Sequence, residues 1–413
     1  MRPNELRLFV NAIVLAITIT WFCSPRAAAA GPEHVLHRFN GDTPYGGVVF
    51  GADGNLYGTT FYGGSSTACN GGCGVVYKLT PTADGRWKES TLHTFNGSNG
   101  AHPYSRLVFD AAGNLYGMTF GAYSGGSGGN GNVYELSPTA NGGWKETILH
   151  SFAGGNDGTE PSGPVVFDAS GNLYGATFAG GAYNSGIVFE LSPTPGGGWK
   201  EKLLHAFTGG KDGSGPGASS VSNLILDADG NLYGTTAYGG VSGDGVIFEL
   251  SNPTGEGWKE TVLHQFTGGP DGGYPNGLTA DSAGNLYGGT GIGGNQTYCY
   301  GGCGVVYQLS RNSNGGWHET VLHTFIGVDG DGVESLVFDA AGNLYGPADG
   351  GGAGFGVIFE LSPVSGDWTE GVLYGFGGSG GGGQPVGVVL GSDGNLYGTA
   401  LCCGDGVVFE LLL

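Results

Sequence analysis

Short apolar runs separated by turn residues repeat along this chain, and the third copy shows the pattern most clearly. Residues 164–167 (Pro-Val-Val-Phe) predict a buried strand, and residues 168–171 (Asp-Ala-Ser-Gly) predict the turn that follows it. Three further strands are predicted at residues 172–178, 187–191 and 199–207. Each repeat therefore predicts four short antiparallel strands.

The motif Gly-Asn-Leu-Tyr-Gly marks the second strand of every repeat. It begins at Gly54, Gly113, Gly171, Gly230, Gly284, Gly342 and Gly394, at intervals of 52 to 59 residues. A unit of this length cannot bury its apolar surface alone, so successive units must stack. Four strands per unit, apolar on both faces, are typical of a propeller blade. The sequence therefore predicts an all-β fold: a seven-bladed β-propeller with four antiparallel strands per blade.

The two ends of the chain predict how the ring closes. The seventh repeat ends after its third strand, at residues 407–411. Residues 34–39 (His-Val-Leu-His-Arg-Phe) match the Val-Leu-His-x-Phe pattern of the other fourth strands. Pairing this strand with the last repeat leaves no open sheet edge. We therefore predict one propeller domain over residues 31–413, in which residues 31–39 complete the last blade.

The first thirty residues have the features of a secretory signal peptide. Arg2 and Arg7 precede an apolar stretch at residues 8–23, and small residues follow up to Ala30. The apolar stretch is shorter than the ~20 residues that span a bilayer. We expect cleavage after residue 30, no membrane insertion afterwards, and a secreted, extracellular or periplasmic location.

Charge limits the partners of the exported protein. The chain has 14 basic and 35 acidic residues, which gives a formal net charge of −21 at pH 7. Such a surface repels nucleic acids and anionic membranes, so we expect neither as a partner. We also expect the protein to be a monomer.

The repeat resembles a known family. Residues 53–60 (Asp-Gly-Asn-Leu-Tyr-Gly-Thr-Thr), followed by Gly-Gly and by Gly-x-Val-Phe-Glu-Leu as at residues 186–191, are similar to the tandem repeat of the bacterial choice-of-anchor GloVer proteins. The resemblance covers essentially all of residues 31–413. It implies an exported bacterial surface or extracellular protein, and it assigns no catalytic residue.

Variable loops are the predicted place for ligand binding, because the repeated motif belongs to the scaffold. The loops after the second strands and those that join consecutive blades share one face of a propeller, and they differ among the repeats. Aromatic rings beside carboxylates suit sugars, since rings stack on the apolar sugar face while carboxylates accept hydrogen bonds from hydroxyl groups. The candidate ligand-binding residues of this face are Arg106, Glu160, Asp331, Glu334, Tyr62, Tyr104, Tyr123, Tyr183, Tyr238, Tyr274 and Tyr298.

Three functions fit these features. The first is an exported, non-catalytic binding module for a glycan or a protein, which uses the variable-loop face. The second is an extracellular propeller enzyme, a polysaccharide hydrolase or lyase with carboxylates at the channel mouth. The third is a structural surface or matrix protein. No catalytic residue is assigned, because the Gly-x-Ser-x-Gly matches at residues 125–129 and 377–381 do not join a strand to a helix. We favour the binding module.

Histidine recurs at one position of the fourth strand, which favours a structural hydrogen bond in each blade over catalysis. These histidines are His37, His93, His150, His205, His264 and His323. No cofactor or metal site is predicted, although partial calcium-loop patterns at residues 227–230 and 329–332 leave calcium as an alternative.

Cysteine spacing predicts two local disulfides. Cys69 and Cys73 are followed by Gly-Val-Val-Tyr, and so are Cys299 and Cys303, in the same loop of blades 1 and 5. A shared zinc ion is excluded because these blades lie nearly opposite each other in the ring. The neighbouring residues 402–403, both cysteines, remain open between a vicinal disulfide and free thiols.

Overall fold

The computed structural model describes residues 33–121, 129–217, 223–252, 257–378, 382–401 and 406–413. Within these residues thirty strands form seven antiparallel sheets, and the helical content is one short 3-10 turn, Gly155–Asp157. This architecture confirms the predicted all-β fold and its seven blades. The predicted signal peptide lies outside the described residues.

The first three blades are built from consecutive strands. Blade 1 contains β2 (Val48–Phe50), β3 (Leu56–Thr60), β4 (Val75–Pro81) and β5 (Trp87–Thr94). Blade 2 contains β6 (Val108–Phe109), β7 (Leu115–Thr119), β8 (Asn132–Pro138) and β9 (Trp144–Ser151). Blade 3 contains β10 (Thr159–Phe167), β11 (Leu173–Ala179), β12 (Ile187–Pro193) and β13 (Trp199–Ala206).

The next three blades follow the same order. Blade 4 contains β14 (Ser214–Pro216), β15 (Ile225–Leu226), β16 (Leu232–Tyr238), β17 (Val246–Ser251) and β18 (Lys259–Gln265). Blade 5 contains β19 (Gly273–Ala280), β20 (Leu286–Ile292), β21 (Val305–Arg311) and β22 (Trp317–Thr324). Blade 6 contains β23 (Asp331–Val333), β24 (Val337–Phe338), β25 (Leu344–Gly350), β26 (Val357–Val364) and β27 (Asp367–Gly375).

Blade 7 joins the two ends of the chain. It contains β28 (Pro385–Leu390), β29 (Leu396–Ala400), β30 (Val407–Leu411) and, as its fourth strand, β1 (Glu33–Arg38). Strand β1 pairs antiparallel with β30, and the amide of Phe39 donates to the carbonyl of Gly406 at 2.8 Å. The predicted closure by the N-terminal strand is therefore confirmed.

The repeated motif folds as a turn that one carboxylate organises. Asp168 accepts hydrogen bonds from the amides of Ser170 and Asn172, from the Asn172 side chain and from the Tyr174 hydroxyl. Partial burial raises the pKa of Asp168, but these hydrogen bonds together outweigh burial and hold the pKa below its ordinary value of 3.8. Gly171 supplies the left-handed residue of the turn, at φ 83°. The motif is therefore a scaffold element, as predicted.

Apolar side chains from neighbouring blades form the core between sheets. Leu232 and Phe248 of blade 4 are fully buried against Phe207 of blade 3, and the two phenylalanine rings lie 5.1 Å apart. Tyr174 of blade 3 contacts Trp258 of blade 4, with ring centroids at 6.2 Å. Both faces of each sheet are covered in this way, which explains why the strands are apolar on both sides.

A repeated contact fixes the entry of each blade. The amide of His102 donates to the carbonyl of Cys73 in the preceding blade at 2.8 Å, and Pro103 packs directly on Gly74. A Cβ atom on Gly74 would lie 2.5 Å from Pro103 Cδ, so only glycine fits there. The same amide bond to the preceding blade is made by Glu160, Gly215, Tyr274, Gly332 and Gln384.

The inner strands of blades 3 to 6 are irregular just after this contact. In blades 4 and 6 it is split in two, because β14 and β15 both pair with β16, and β23 and β24 both pair with β25. In blades 3 and 5 the register shifts between Ser162 and Val166 and between Pro275 and Leu278. Bulges of this kind change the direction of side chains. The count of thirty strands, against the 28 expected from seven blades of four, follows from the two splits.

Candidate ligand-binding site at the channel mouth

One cavity lies where the blades converge. It has a volume of about 440 Å³, and its described lining comes from six of the seven blades. Only the centre of the ring touches so many blades, so the cavity is the mouth of the central channel. It is lined by Tyr45, Tyr104, Ala237, Tyr238, Tyr274, Asn276, Gly291, Glu334, Asp349, Gln384, Val386 and Leu401.

One repeated position at the start of the inner strands supplies much of this lining. It lies two residues after the amide that bonds to the preceding blade, and we call it the inner-strand ring. Its occupants, with the corresponding residue of blade 1 first, are Tyr45, Tyr104, Ser162, Gly217, Asn276, Glu334 and Val386. Five of these line the cavity. A position that the fold repeats therefore carries six different residue types in seven blades, with tyrosine in blades 1 and 2.

A second repeated position lies five residues after the leucine of the motif, at the end of the second strand. We call it the second-strand ring, and its occupants are Phe61, Phe120, Phe178, Ala237, Gly291, Asp349 and Leu401. Blades 1 to 3 fill this position with phenylalanine, whereas blades 4 and 5 have alanine and glycine. The cavity opens toward blades 4 and 5, where the residues of the second-strand ring are small.

Tyrosine rings form one wall of the cavity. Tyr238 and Tyr274 lie edge to face, with ring centroids 5.4 Å apart, and remain 46% and 38% exposed. On the side of blades 1 and 2, Tyr45 and Tyr104 lie 5.7 Å apart. Tyr274 also has a positive φ of 54°, which is strained for a residue with a side chain. The backbone at Tyr274 therefore holds its aromatic ring at the wall of the cavity.

A pair of carboxyl groups forms another part of the wall. Glu334 follows β23, and Asp349 lies on β25 of the same blade; their side chains share a hydrogen bond. Burial among the channel walls raises the pKa of Asp349 well above its ordinary value, and the charges of Glu334 and Asp331 add to this shift. Burial also raises the pKa of Asp331. Asp331, a predicted site residue, lies beside the pair rather than in the described lining.

A smaller aromatic pocket of about 200 Å³ adjoins the cavity. Tyr45 and Tyr104 line both spaces, and Phe61, Tyr62 and Phe120 complete the smaller one. The ring of Phe61 lies 5.5 Å from that of Tyr45 and 6.0 Å from that of Tyr104. The predicted candidate Tyr62 therefore belongs to an apolar side pocket.

The structure brings four predicted residues together in the cavity. These are Tyr104, Tyr238, Tyr274 and Glu334. They come from blades 2, 4, 5 and 6, so their convergence depends on the closed ring. Variable position and side-chain chemistry were sufficient to select them from the sequence.

Other predicted residues lie elsewhere. Tyr183 and Tyr298 are 63% and 60% exposed but are not among the described residues that line the cavity. Glu160 has a positive φ of 58° at the entry of blade 3, outside the described lining. Arg106 is half-buried, also outside that lining, and burial lowers the pKa of its guanidinium. Tyr123 lies outside the described residues.

Sequence reasoning missed Tyr45, Asn276, Gln384 and the small residues that open the cavity. An available signal was the alignment of the repeats: the residue before the inner-strand ring is proline in blades 1 to 5 and in blade 7, while the ring position itself varies. The exposed loop residues were more conspicuous, yet the inner ends of the strands contribute most of the lining.

The two predicted disulfides are present. Cys69 is bonded to Cys73, and Cys299 to Cys303, each across a separation of 4 residues. The carbonyl groups of Cys73 and Cys303 accept the amide bonds at the entries of blades 2 and 6. Each disulfide therefore stabilises a loop that holds the next blade. Residues 402–403 lie outside the described part of the chain.

One group outside the cavity has the composition of a metal site. Ligand atoms of His323, Asp329 and Glu370 lie within 4.8 Å of one another at the junction of blades 5 and 6. His323 bonds to Asp329 at 3.1 Å, and His150 bonds to Asp157 at the same distance at the junction of blades 2 and 3. A contact that recurs at equivalent junctions is best interpreted as structural, which agrees with the prediction for these histidines.

Fold and cavity define an acidic seven-bladed β-propeller with a ligand-sized site at one end of its channel. The chain belongs to the Gloeobacter/Verrucomicrobia repeat family, whose model matches residues 26–223, 121–346 and 220–412. This match confirms the resemblance seen in the repeated motif. None of the curated proteins matches the chain. In the described residues, no helix has the length and apolar character needed to cross a membrane.

Several solved structures are similar to this chain. A protein from Lactobacillus plantarum matches with a TM-score of 0.50 and 14% identity, over 79% of this chain and 83% of that chain. The extracellular domain of a putative hybrid two-component system from B. thetaiotaomicron matches with a TM-score of 0.49 and 13% identity, over 89% of this chain; this chain spans only 39% of that one. A luciferin-regenerating enzyme matches with a TM-score of 0.45 and 14% identity, over 91% and 95% of the two chains. At these identities the likeness concerns the fold alone.

Proposed function

We propose that this protein is an exported, non-catalytic binding module whose cavity at the channel mouth takes a glycan. One observation carries the proposal: exposed tyrosine rings and hydrogen-bonding carboxyl and amide groups line the same cavity. Its volume of about 440 Å³ lies within the range of about 300–1,000 Å³ that is usual for ligand sites.

The tyrosine wall supplies apolar contact area. Tyr238 and Tyr274 are large hydrophobic residues exposed at one site, and a monomeric protein gains nothing from leaving such rings in water. A pyranose ring has an apolar face of C–H groups that covers an aromatic ring, while its hydroxyl groups point sideways. The two rings at about right angles suit a ligand with such a face.

Polar groups next to the tyrosine wall supply hydrogen bonds for hydroxyl groups. Asn276 donates through its side-chain nitrogen to the carbonyl of Val333 at 2.7 Å, which leaves its side-chain oxygen as an acceptor. Gln384 is exposed at the rim, and Glu334 and Asp349 offer carboxyl oxygens. A polyhydroxylated ligand matches this set better than an apolar one.

Export agrees with this proposal. The predicted signal peptide and the two disulfides are typical of a protein that works outside the cytoplasm. Glycans are abundant outside cells, and a rigid ring with variable side chains at its mouth is suited to recognising them.

Binding is favoured over hydrolysis by the spacing of the carboxyl groups. Glycoside hydrolases that use two carboxyl groups hold them about 5–5.5 Å or about 6.5–9.5 Å apart, with the sugar between them. Glu334 and Asp349 bond directly to each other, so no glycosidic bond fits between them.

A glycan array with residues 31–413, followed by calorimetric titration of the sugars that bind, tests the proposal. We expect Tyr238→Ala and Tyr274→Ala each to weaken binding about 5- to 30-fold, the loss of about 1–2 kcal/mol of ring contact. Tyr183→Ala removes an exposed tyrosine outside the cavity and serves as the matched control. An array without any bound sugar, or equal effects of all three substitutions, would overturn the proposal.

A further inference from the structure

The carboxyl pair of the cavity has a property that hydroxyl recognition does not require. Glu334 and Asp349 share a hydrogen bond, and two carboxyl groups can do so only when one of them carries a proton. The pair therefore holds one proton and one negative charge. A neutral sugar would be served equally well by amide side chains such as those of Asn276 and Gln384, without the cost of keeping charge in a half-enclosed site.

The cavity offers no cation to balance this charge. Among its described lining residues there is no lysine, arginine or histidine. The half-buried guanidinium of Arg106 lies outside the lining, and Asp331 adds a third carboxyl group beside the pair. The chain as a whole has 35 acidic against 14 basic residues, so its field also attracts cations.

The tyrosine wall favours the same kind of ligand. Aromatic rings attract a cation placed over their faces, and Tyr45, Tyr104, Tyr238 and Tyr274 surround the cavity. Rings and carboxyl groups together are the combination that holds an ammonium group. A sugar that carries an ammonium group would use both walls at once.

We infer that the glycan is an amino sugar with a free amino group, whose ammonium binds at Glu334 and Asp349 in front of the tyrosine wall. This inference rests on the proposed function and adds the chemical class of the ligand. It distinguishes glucosamine-type sugars from glucose, which has a hydroxyl group in place of the amine, and from N-acetylglucosamine, whose amide is neutral.

Binding of the ammonium has a defined proton balance. The shared proton leaves Asp349 for the solvent, both carboxyl groups become carboxylates, and the ammonium keeps its own protons and replaces the lost charge. No covalent bond forms or breaks. Proton release accompanies binding at pH values where the pair is still singly protonated, and it disappears at higher pH. The other titratable groups that face the pair are Asp331 and the four tyrosines of the cavity.

The test compares β-linked oligomers of glucose, glucosamine and N-acetylglucosamine of equal length by calorimetry at about pH 6, where the amine is protonated. We expect the glucosamine oligomer to bind at least about tenfold more tightly than the other two. We also expect its binding heat to vary with the ionisation enthalpy of the buffer, because a proton is released. Equal or weaker binding of the glucosamine oligomer would overturn the inference while leaving the proposed function in place.

Two variants separate the site from the general charge of the protein. The double variant Glu334→Gln/Asp349→Asn removes both carboxyl groups, and it is expected to abolish the preference for glucosamine and the proton release while neutral sugars still bind. Glu160→Gln removes one carboxylate from the same face outside the cavity, and we expect it to keep both properties. An unchanged preference in the double variant, or an equal loss in Glu160→Gln, would assign the preference to non-specific charge and refute the inference. Failure of all three oligomers, together with an empty glycan array, would instead refute the proposed function and this inference with it.

Discussion

Gly291 occupies in blade 5 the position that Phe61 occupies in blade 1. Each lies five residues after the leucine of the motif, at the end of the second strand. Phe61 is buried and packs against neighbouring rings, whereas the absent side chain at Gly291 leaves part of the wall of the cavity open. The site therefore forms where blade 5 lacks the aromatic side chain that blades 1 to 3 have at this position.

Replacing this glycine should close the site without unfolding the ring. A Cβ atom at Gly291 would meet the oxygen and Cβ of Tyr274 at 3.6 and 3.7 Å, which are ordinary contacts. Since phenylalanine already stands at this position in three blades, we expect Gly291→Phe to fold with a change of at most about 1 kcal/mol in the free energy of unfolding. Binding of the sugar identified on the array should fall by at least about tenfold.

Gly291→Ala provides the control for this prediction, because a methyl group occupies little of the cavity. Calorimetric titration and thermal unfolding of both variants give the two required quantities. Full binding by a well-folded Gly291→Phe variant would place the ligand elsewhere on the propeller.

We expect the carboxyl group of Glu370, at the junction of blades 5 and 6, to make the stability of the protein depend on pH. Its pKa is raised to about 7 from the ordinary 4.5, first by burial and second by the charge of Asp329. A carboxyl whose pKa is higher in the folded chain favours folding while it is protonated. That contribution is complete below about pH 4.5 and is lost as the pH rises through about 7. Glu370→Gln cannot ionise, so it should be more stable than the wild type at about pH 8, by about 1–2 kcal/mol after allowance for solvent screening.

At about pH 5 the wild type and Glu370→Gln should be nearly equal in stability, since both side chains are then neutral. Denaturant unfolding at the two pH values measures the difference. Asp367→Asn, an exposed acid of the same blade, is the control and should show no such crossover. Parallel stability curves for wild type and Glu370→Gln would contradict the prediction.

The sequence was sufficient for the fold because the physical signals were local and repeated. A turn carboxylate such as Asp168 and the left-handed Gly171 act on residues close to them in the chain, so the strand order of a blade can be read directly. Ring closure was also predictable, since residues 34–39 have the pattern of the strand that the last repeat lacks.

The site was only partly predictable, because its chemistry joins distant residues. Glu334 could be selected as a charged residue at a variable position, but its hydrogen bond to Asp349 depends on how two strands of blade 6 meet at the channel. Tyr183 and Tyr238 are both exposed tyrosines that follow the motif, but Tyr238 is the last residue of β16 and lines the cavity, whereas Tyr183 lies in the loop after β11 and does not line it. A glycine at position 291 gives no indication in the sequence that a cavity opens beside it.

The disulfides should stabilise two blades independently. Each closes a loop with a sequence separation of 4, for which the loss of chain entropy predicts about 2 kcal/mol. We expect Cys69→Ser/Cys73→Ser and Cys299→Ser/Cys303→Ser each to lower the free energy of unfolding by about that amount. The effects should add, because the loops lie in blades 1 and 5 and share no contact partner.

Denaturant unfolding of the two double variants and of their combination measures this additivity. Treatment of the wild type with a reductant should reproduce the combined variant, which controls for the loss of thiol packing at buried Cys303. A combined effect far larger than the sum would show that the two loops are coupled through the ring.

Strand β1 is expected to be essential for a soluble ring. Without it, β30 presents an unpaired edge that can pair with another chain. The strand also carries Glu33, whose carboxylate accepts a hydrogen bond from the Tyr374 hydroxyl of blade 6 at 2.8 Å. We expect a chain that begins at residue 41 to aggregate or to elute as oligomers, whereas a chain that begins at residue 31 elutes as one species. Tyr374→Phe, which removes only that hydrogen bond, should keep the single species and lose about 1 kcal/mol of stability.

Size-exclusion chromatography with light scattering distinguishes these species, and a synthetic peptide of residues 31–40 tests the cause. If the missing strand is responsible, the added peptide should occupy the open edge of β30 and restore the single species. A chain from residue 41 that stays monodisperse and unfolds at the same temperature as the longer chain would show that the ring closes by its other contacts alone. The pairing of β1 with β30 in blade 7, including the bond from the Phe39 amide to the Gly406 carbonyl, would then contribute little to the closed structure.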